Sequence, residues 1–371
     1  MHTATIHKGH YDRWLLGAIL ALLVTSVVMV YSSSSVVALT TYDDAAFFMK
    51  RQALWALVGL AAMAVMMRVD HDLFRDQRIV LGLLALSLAL LAATLVPGIG
   101  REINGSRRWL RLGMLSFQPS ELAKFCLVVY LSAFIAKKGQ RIRDFKHGLV
   151  PAYVVTAFFL FLTIRQPDFG ATMTLAGVAA ILLFAGGANV LHLAGTAAAA
   201  LPFVYVAIVH KAYRLRRVVA FLDPWSDPQG AGHQIIQSFL AFGSGGVLGR
   251  GLGEGRQKLL FLPERHSDFI YAVIGEELGL VGALAVLGLF LFILARGVRI
   301  AARASDPFTR LLALGLTLLV CLQAMINMAV VTGLLPTKGI ALPLVSYGGS
   351  SLVITMGALG VLLSISRETG S

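Results

Sequence analysis

The sequence predicts an all-α integral membrane protein, a polytopic bundle of about ten transmembrane helices with one large extracytoplasmic loop. Three observations lead there. Apolar residues make up 57% of the 371 and charged residues only 14%, with a mean hydropathy of +0.77, a balance outside the range of soluble globular domains. Apolar runs recur along the whole chain, most of them long enough to cross a hydrocarbon core of ~30 Å as a helix. One polar, strongly basic segment, residues 210–269, interrupts them. Neither a soluble domain nor a long linker separates the runs, so 1–371 reads as a single membrane domain.

Ten spans are expected, at 14–30, 53–67, 79–96, 121–136, 149–164, 172–186, 190–209, 270–295, 309–332 and 343–366. The first follows basic residues as a signal peptide would, but its apolar run is too long and no small-x-small cleavage site precedes Ser32–Ser35. It reads as a retained helix. Cys126 and Cys321 fall inside spans, so no disulfide framework is implied. Loops 68–78, 137–148 and 296–310 are rich in Lys and Arg. The positive-inside rule puts these loops and both termini in the cytoplasm. Loops 31–52, 97–120, 165–171, 210–269 and 333–342 then face outward.

Loop 97–120 runs against that rule. It is short, yet it carries Arg101, Arg107, Arg108 and Arg111, and the 210–269 loop holds eight more basic residues. Contact with anionic lipid headgroups is the plain explanation. A site for phosphate-bearing ligands is the sharper one, because the guanidinium fork matches phosphate oxygens. On charge and position alone, Arg108, Arg214, Arg217 and Arg265 are candidates to hold such a group.

Ionisable residues in or beside spans need a partner or a cavity. Glu121 and Lys124 stand three apart on one helix face, Arg165 and Asp168 bracket Gln166-Pro167, and Glu276 and Glu277 lie two turns inside the eighth span. An internal salt bridge is the bland reading for each. For Glu121–Lys124 it outweighs direct catalysis; for Asp168 the two readings balance.

The large loop has its own order. Residues 213–222 form a short amphipathic helix with Arg214 and Arg217 at i, i+3 and an apolar opposite face, suited to the headgroup plane. Asp223-Pro224 and Asp227-Pro228 make turns, residues 232–242 suggest a second helix, and glycines follow to Gly255. That glycine run lacks the G-x-x-x-x-G-K-[ST] pattern and faces away from ATP. His266-Ser267-Asp268 are consecutive and cannot fold into a hydrolase triad. His233 and His266 without a cysteine do not make a zinc site. One or two carboxylates ringed by arginines remain, an arrangement suited to a general base beside a phosphate leaving group.

These segments carry a family resemblance. Arg108-Trp109, Phe117-Gln-Pro-Ser-Glu121, Gln166-Pro-Asp-Phe-Gly170, Asp223-Pro with Asp227-Pro-x-Gly-x-Gly232, and Ile236-Gln-Ser238 resemble the SEDS (shape, elongation, division and sporulation) family. So do Phe261-Leu-Pro-Glu-Arg-His-Ser-Asp268, Glu276-Glu-Leu-Gly279 and Pro343-Leu-Val-Ser-Tyr-Gly-Gly-Ser350. The likeness covers nearly the whole chain. Phe47-Phe48 with Lys50-Arg51, and Leu335-Pro-Thr-Lys-Gly339, look more like its cell-division branch than its elongation branch.

The resemblance implies peptidoglycan glycosyltransfer: polymerisation of lipid II, an undecaprenyl-pyrophosphate-linked disaccharide pentapeptide, on the outer face of the bacterial inner membrane. A class B penicillin-binding protein would supply the transpeptidase, other division proteins would join, and no nucleic acid is called for. The family's catalytic aspartate falls on Asp268. Substrate-binding roles are implied for the motif residues Arg108, Trp109, Glu121, Lys124 and Asp168, and for Glu264, Arg265, His266, Lys338 and Ser346. Arginines, or a divalent cation (Mg or Mn), would neutralise the departing pyrophosphate. Two other classes stay open, a lipid II flippase and a non-catalytic scaffold for the partner synthase. No repeat between the chain halves favours transport.

Overall fold

The computed structural model describes residues 9–103, 106–112, 115–210, 212–257 and 266–369. In chain order its elements are α1 (Arg13–Tyr42), α2 (Phe47–Met66), α3 (Gln77–Leu95), strands β1 (Gly100–Ile103), β2 (Ser106–Leu112) and β3 (Leu115–Phe117), α4 (Pro119–Lys138), α5 (Val150–Arg165) and α6 (Phe169–Ala185). There follow α7 (Val190–Val209), α8 (Ala212–Leu222), α9 (His233–Gly245), α10 (Ile270–Glu277), α11 (Gly279–Arg303), α12 (Pro307–Val331) and α13 (Gly349–Ser366). Nine of the described helices are long and apolar enough to cross a membrane, and α6 is a shorter apolar one.

Helix starts follow local chemistry. Asp12, Asp76, Asp168, Asn189 and Asp306 each accept first-turn N–H groups, opening α1, α3, α6, α7 and α12, as capping oxygens do. Pro119 and Pro307 pre-set the first turns of α4 and α12. Glu121 in the first turn of α4 and Lys137 and Lys138 in its last complement the helix dipole. The amphipathic helix expected at 213–222 is α8, and the second loop helix is α9.

Four expectations need correction. The first helix runs on to Tyr42, so Ser32, Ser33 and Ser34 are buried helix residues rather than loop. The 97–120 stretch, expected only as a loop, carries a small three-stranded antiparallel sheet of β1, β2 and β3 within the helical bundle. The eighth span breaks into α10 and α11 at Gly279, whose φ is 68°. A Cβ there would lie 2.3 Å from the Gly249 nitrogen and 2.4 Å from the Val247 carbonyl oxygen, so the glycine-rich loop packs its backbone into the break. The last helix begins at Gly349 instead of 343. The stretch before it includes Leu344 at φ 63°, a left-handed conformation that ends regular helix.

Helix α12 packs against α4, α6 and α11, and α13 lies along α2. By contrast α7 buries none of its side chains, which suits a lipid surround. The Lys- and Arg-rich loops and the termini meet at one end of the bundle. There Arg75 pairs with Asp306 at 2.6 Å, Lys137 donates to Gln77 at 2.9 Å, and the Gly9 N–H donates to the Arg367 carbonyl at 3.1 Å. Arg296 reaches Asp12 at 2.7 Å, with the carboxylate fully buried and the guanidinium side chain 14% exposed. Ser366 Oγ accepts the Asp12 N–H at 3.0 Å, so this pair ties α1, α11 and α13 together.

Breaking a buried pair leaves an uncompensated charge and costs about 3 kcal/mol. Arg296→Ala should therefore lower the thermal midpoint measured in detergent by several degrees. Lys50→Ala, which removes the exposed partner of Asp44, should leave it unchanged within error.

Candidate functional site

At the opposite end of the bundle lies a cavity of about 450 Å³. Its walls come from β2, the first turns of α4 and α6, the start of α10, the segment between α12 and α13, and the first turn of α13. Four cationic side chains, Arg108, Lys124, Arg217 and Lys338, and three carboxylates, Glu121, Asp168 and Asp268, line it, with Trp109 beside them.

The sheet explains how Arg108 gets there. Trp109 pairs with Arg101 and Arg107 with Glu102, so Arg108 has no residue opposite it and is the extra residue of a β-bulge. A bulge breaks the strand's alternation and re-aims side chains, which is why both Arg108 and Trp109 reach the cavity. Arg107 instead pairs with Glu102 at the surface, at 3.1 Å. One terminal nitrogen of Arg108 donates to the Pro167 carbonyl (3.0 Å) and Ser106 Oγ (3.1 Å); the other stands 3.9 Å from Asp168. Its Nε is buried without a partner among the described residues, a costly state for a donor.

Asp168 is met by Arg108 rather than by its neighbour in sequence, Arg165, which lies over the Phe161 ring. The Asp168 carboxylate caps α6 through the Ala171 N–H and accepts from Ser120 Oγ at 3.1 Å and Gln118 Nε2 at 3.3 Å. Glu121 and Lys124 form the expected internal ion pair at 2.8 Å, and they line the cavity as well. Lys124 also donates to Gln323 Oε1, while Ser351 Oγ donates to the second Glu121 oxygen at 3.0 Å. Gln323 passes the chain on to the Ala341 carbonyl at 3.0 Å. A buried ammonium with two acceptors and a buried carboxylate with two donors is the arrangement that makes such burial tolerable.

Asp268 sits just before α10, and its surroundings hold it by the backbone. Asn327 Nδ2 donates to the Asp268 carbonyl at 2.8 Å and to the Ile340 carbonyl at 2.6 Å; Ser346 Oγ donates to the Ser267 carbonyl. A Cβ built on Gly339 would fall 3.1 Å from Asp268 Oδ2 and 3.8 Å from an Arg108 terminal nitrogen. Asp268 and Arg108 thus face one another across a glycine that leaves the space between them open.

Arg217 donates to the Thr337 carbonyl at 3.4 Å, bringing α8 onto the segment that carries Lys338. Burial holds the Lys338 ammonium below its ordinary value, and the nearby Arg217 charge lowers it further. Lys338 contacts Met173 Sδ and the face of Phe169.

Some expected site residues lie elsewhere. Arg214 stacks on Phe169 at 4.2 Å and donates to the Ala207 carbonyl, outside the cavity lining. His266 packs its ring against Phe48 at 5.0 Å and accepts the Tyr347 N–H on its carbonyl. Ser346 acts through Ser267, as above, rather than from the cavity wall. Glu264 and Arg265 fall outside the described residues. Gln118, Gln323, Asn327, Gly339 and Ser351 were missed by sequence reasoning. Gln323 and Asn327 did carry a signal, as amides inside an otherwise apolar span. Among the described residues the sole three-ligand group of His and carboxylates is Asp70, His71 and Glu368, at the far end. In the cavity, Glu121 is already engaged by Lys124 and Ser351, and Asp168 by Ser120 and Gln118, so these two do not fit a metal held by protein ligands alone.

Residues 13–371 match the family of FtsW/RodA/SpoVE cell cycle proteins. A probable peptidoglycan glycosyltransferase FtsW of Trichlorobacter lovleyi is 51% identical over 358 residues, covering 96% of this chain and 93% of its own. The stage V sporulation protein E of Bacillus subtilis is 40% identical over 98% of this chain and 99% of its own. Among solved structures, a chain from work on coordinated polymerization and crosslinking by a peptidoglycan synthase complex superposes with a TM-score of 0.79 at 31% identity, covering 97% of this chain and 98% of that one. The rod shape determining protein RodA of Thermus thermophilus gives 0.70 at 28% identity, covering 97% and 98%. A match spanning nearly every span, loop and site residue described above means that this chain belongs to the FtsW/RodA/SpoVE family of multi-pass membrane proteins.

Proposed function

We propose that this protein is the peptidoglycan glycosyltransferase of cell division, polymerising lipid II at the outer face of the bacterial inner membrane. The observation that carries the reading is the placement of Asp268 opposite Arg108 across Gly339, in a cavity that also holds Arg217 and Lys338. A base and a cluster of cations are what this transfer needs. Half-identity to proteins named for that activity supports it.

In the proposed reaction the acceptor sugar's 4-hydroxyl gives its proton to Asp268 and attacks the anomeric carbon of the growing chain. The bond to the lipid pyrophosphate breaks and the electron pair leaves with the phosphate oxygen. An α-linked donor becomes a β-linked product, so one inverting displacement suffices. In this reading Arg108, whose buried Nε has no partner among the described residues, Arg217 and Lys338 stabilise the departing charge in a low-dielectric setting. Lys124, committed to Glu121 and Gln323, supports the wall rather than the substrate. A divalent cation (Mg or Mn), if bound with the pyrophosphate, would supply further neutralisation of the leaving group beside these cationic side chains.

The end of the bundle that holds the basic short loops and both termini is assigned to the cytoplasm, which puts the cavity outside. A class B penicillin-binding protein is the proposed partner, with other division proteins around it; the likeness to a chain from a polymerising and crosslinking complex supports that choice.

Three outcomes test this reading. Asp268→Asn keeps the volume and removes the basicity, so lipid II polymerisation by purified protein with its partner should fall ~10²–10⁴-fold while the thermal midpoint holds; long glycan strands from this variant would sink the assignment. The alkaline limb of the pH–rate profile should lie below pH 10.5, the ordinary lysine value, because Lys338 loses its proton early, and Lys338→Arg should move that limb upward. The stability effect has the opposite sign: the unfolded chain keeps this proton longer, so stability rises as pH climbs towards 10.5. In intact cells, a membrane-impermeant thiol reagent should label Gln229→Cys and spare Gln140→Cys; the reverse pattern would turn the molecule over.

A further inference from the structure

At the end of the bundle where the termini meet, a cluster of ionisable groups stands apart from the cavity. Asp70 and His71 lie in the turn between α2 and α3, and Glu368 follows the last turn of α13. One ligand atom from each, a ring nitrogen and two carboxylate oxygens, lies within 4.8 Å of the others. The fold holds the two halves of this cluster together. Asp70 opens the short turn His71–Arg75 by accepting the Asp72 N–H at 3.0 Å. Ser364 Oγ donates to the Val69 carbonyl at 3.1 Å, which fixes the end of α13 against that turn. Behind them α2 and α13 lie along one another.

Charge and burial here call for a cation. Arg75 is taken by Asp306 at 2.6 Å and Asp72 at 3.2 Å. Asp70 and Glu368 have no Lys or Arg partner among the described residues; Glu368 meets only His71. That histidine is 2% exposed. Its Nε2 faces Glu368 Oε2 at 3.5 Å, longer than an ordinary hydrogen bond. Its Nδ1 is buried with no partner among the described residues, a costly state for a polar atom. An imidazolium–carboxylate pair is the plain alternative. It would bury a charged ring whose second N–H finds no acceptor, and it would offset one carboxylate of the two. A divalent cation offsets both and leaves the ring neutral.

The donor set selects the ion. Magnesium and calcium take oxygen ligands, whereas zinc accepts imidazole together with carboxylates. Three donors at zinc–ligand distances of ~2.0–2.2 Å stand about 3.3 Å apart. From 4.8 Å or less, the carboxylates must close in by no more than about 1.5 Å. Asp70 and Glu368 are exposed, so a change of rotamer brings them in, and water reaches the remaining position.

We propose that Asp70, His71 and Glu368 form a zinc site that clips the α2–α3 turn to the chain leaving α13. It lies at the opposite end from the cavity and does not rest on the glycosyltransferase reading.

The test takes the full-length protein in detergent, without a histidine tag and stripped of metal by a chelator, and titrates it with zinc chloride in a calorimeter. The expected result is one zinc per chain and a thermal midpoint raised by a few degrees, with magnesium and calcium ineffective. Losing an outer-shell partner already costs ~10–100-fold in metal affinity. His71→Ala and Glu368→Gln should each weaken zinc by at least that factor and remove the rise in midpoint. His10→Asn, at an exposed residue of the same end, should bind zinc as the parent does. No zinc uptake by the parent, parental affinity in Glu368→Gln, loss of binding in His10→Asn, or magnesium or calcium bound as tightly as zinc would each overturn the site. Where His71→Ala fails to fold, the partly exposed Glu368→Gln decides.

Discussion

Two amides on α12 hold the site together. The chain between Thr332 and Gly348 is not helical, yet Ile340, Leu342, Leu344 and Val345 are buried. Backbone carbonyls in such a place must find donors within the protein. Gln323 supplies one to Ala341, and Asn327 supplies one to Ile340 and one to Asp268. The Asn327 clasp thereby joins the segment carrying Lys338 and Gly339 to Asp268, just before α10. Lys338, Gly339 and Asp268 share one cavity because a single side chain cannot satisfy both carbonyls unless they are adjacent.

Buried carboxylates in this molecule are met in three ways, and the difference tracks what each does. Asp12 and Glu121 are paired with full charges, Arg296 and Lys124, and serve to tie helices. Glu276 accepts backbone N–H groups and the Ser244 hydroxyl, and Glu277 accepts the Gly253 N–H and the Ser32 hydroxyl, which ties a loop to a helix end. Asp168 combines a helix cap, a hydroxyl, an amide and a distant guanidinium. These demands fall at or near the cavity end for every case but Asp12. The opposite end is tied by the buried Arg296–Asp12 pair together with exposed or half-exposed pairs such as Arg75–Asp306. One end of the bundle is built to stay shut, the other to keep polar groups inside it.

Sequence by itself determined the class, the approximate position of most apolar helices, the two helices inside the large loop, and most of the cavity's charged residues. Hydropathy over about twenty residues and a few capping side chains are local properties, and burial in a bundle does not change them. Motif order then brought Asp268, Asp168, Arg108 and Lys338 into one family pattern. What only the tertiary structure decided is the pairing. The bulge that turns Arg108 inward depends on the register between β1 and β2, and Asp168 meets Arg108 rather than Arg165 because the chain folds back across fifty-nine residues between Arg108 and Pro167. The break at Gly279 depends on a distant loop arriving at Gly249, and the carboxylates after it needed that loop's N–H groups, which leave no trace in composition or spacing. Each is a contact between residues far apart in the chain, set by shape and by the cost of unpaired polar atoms.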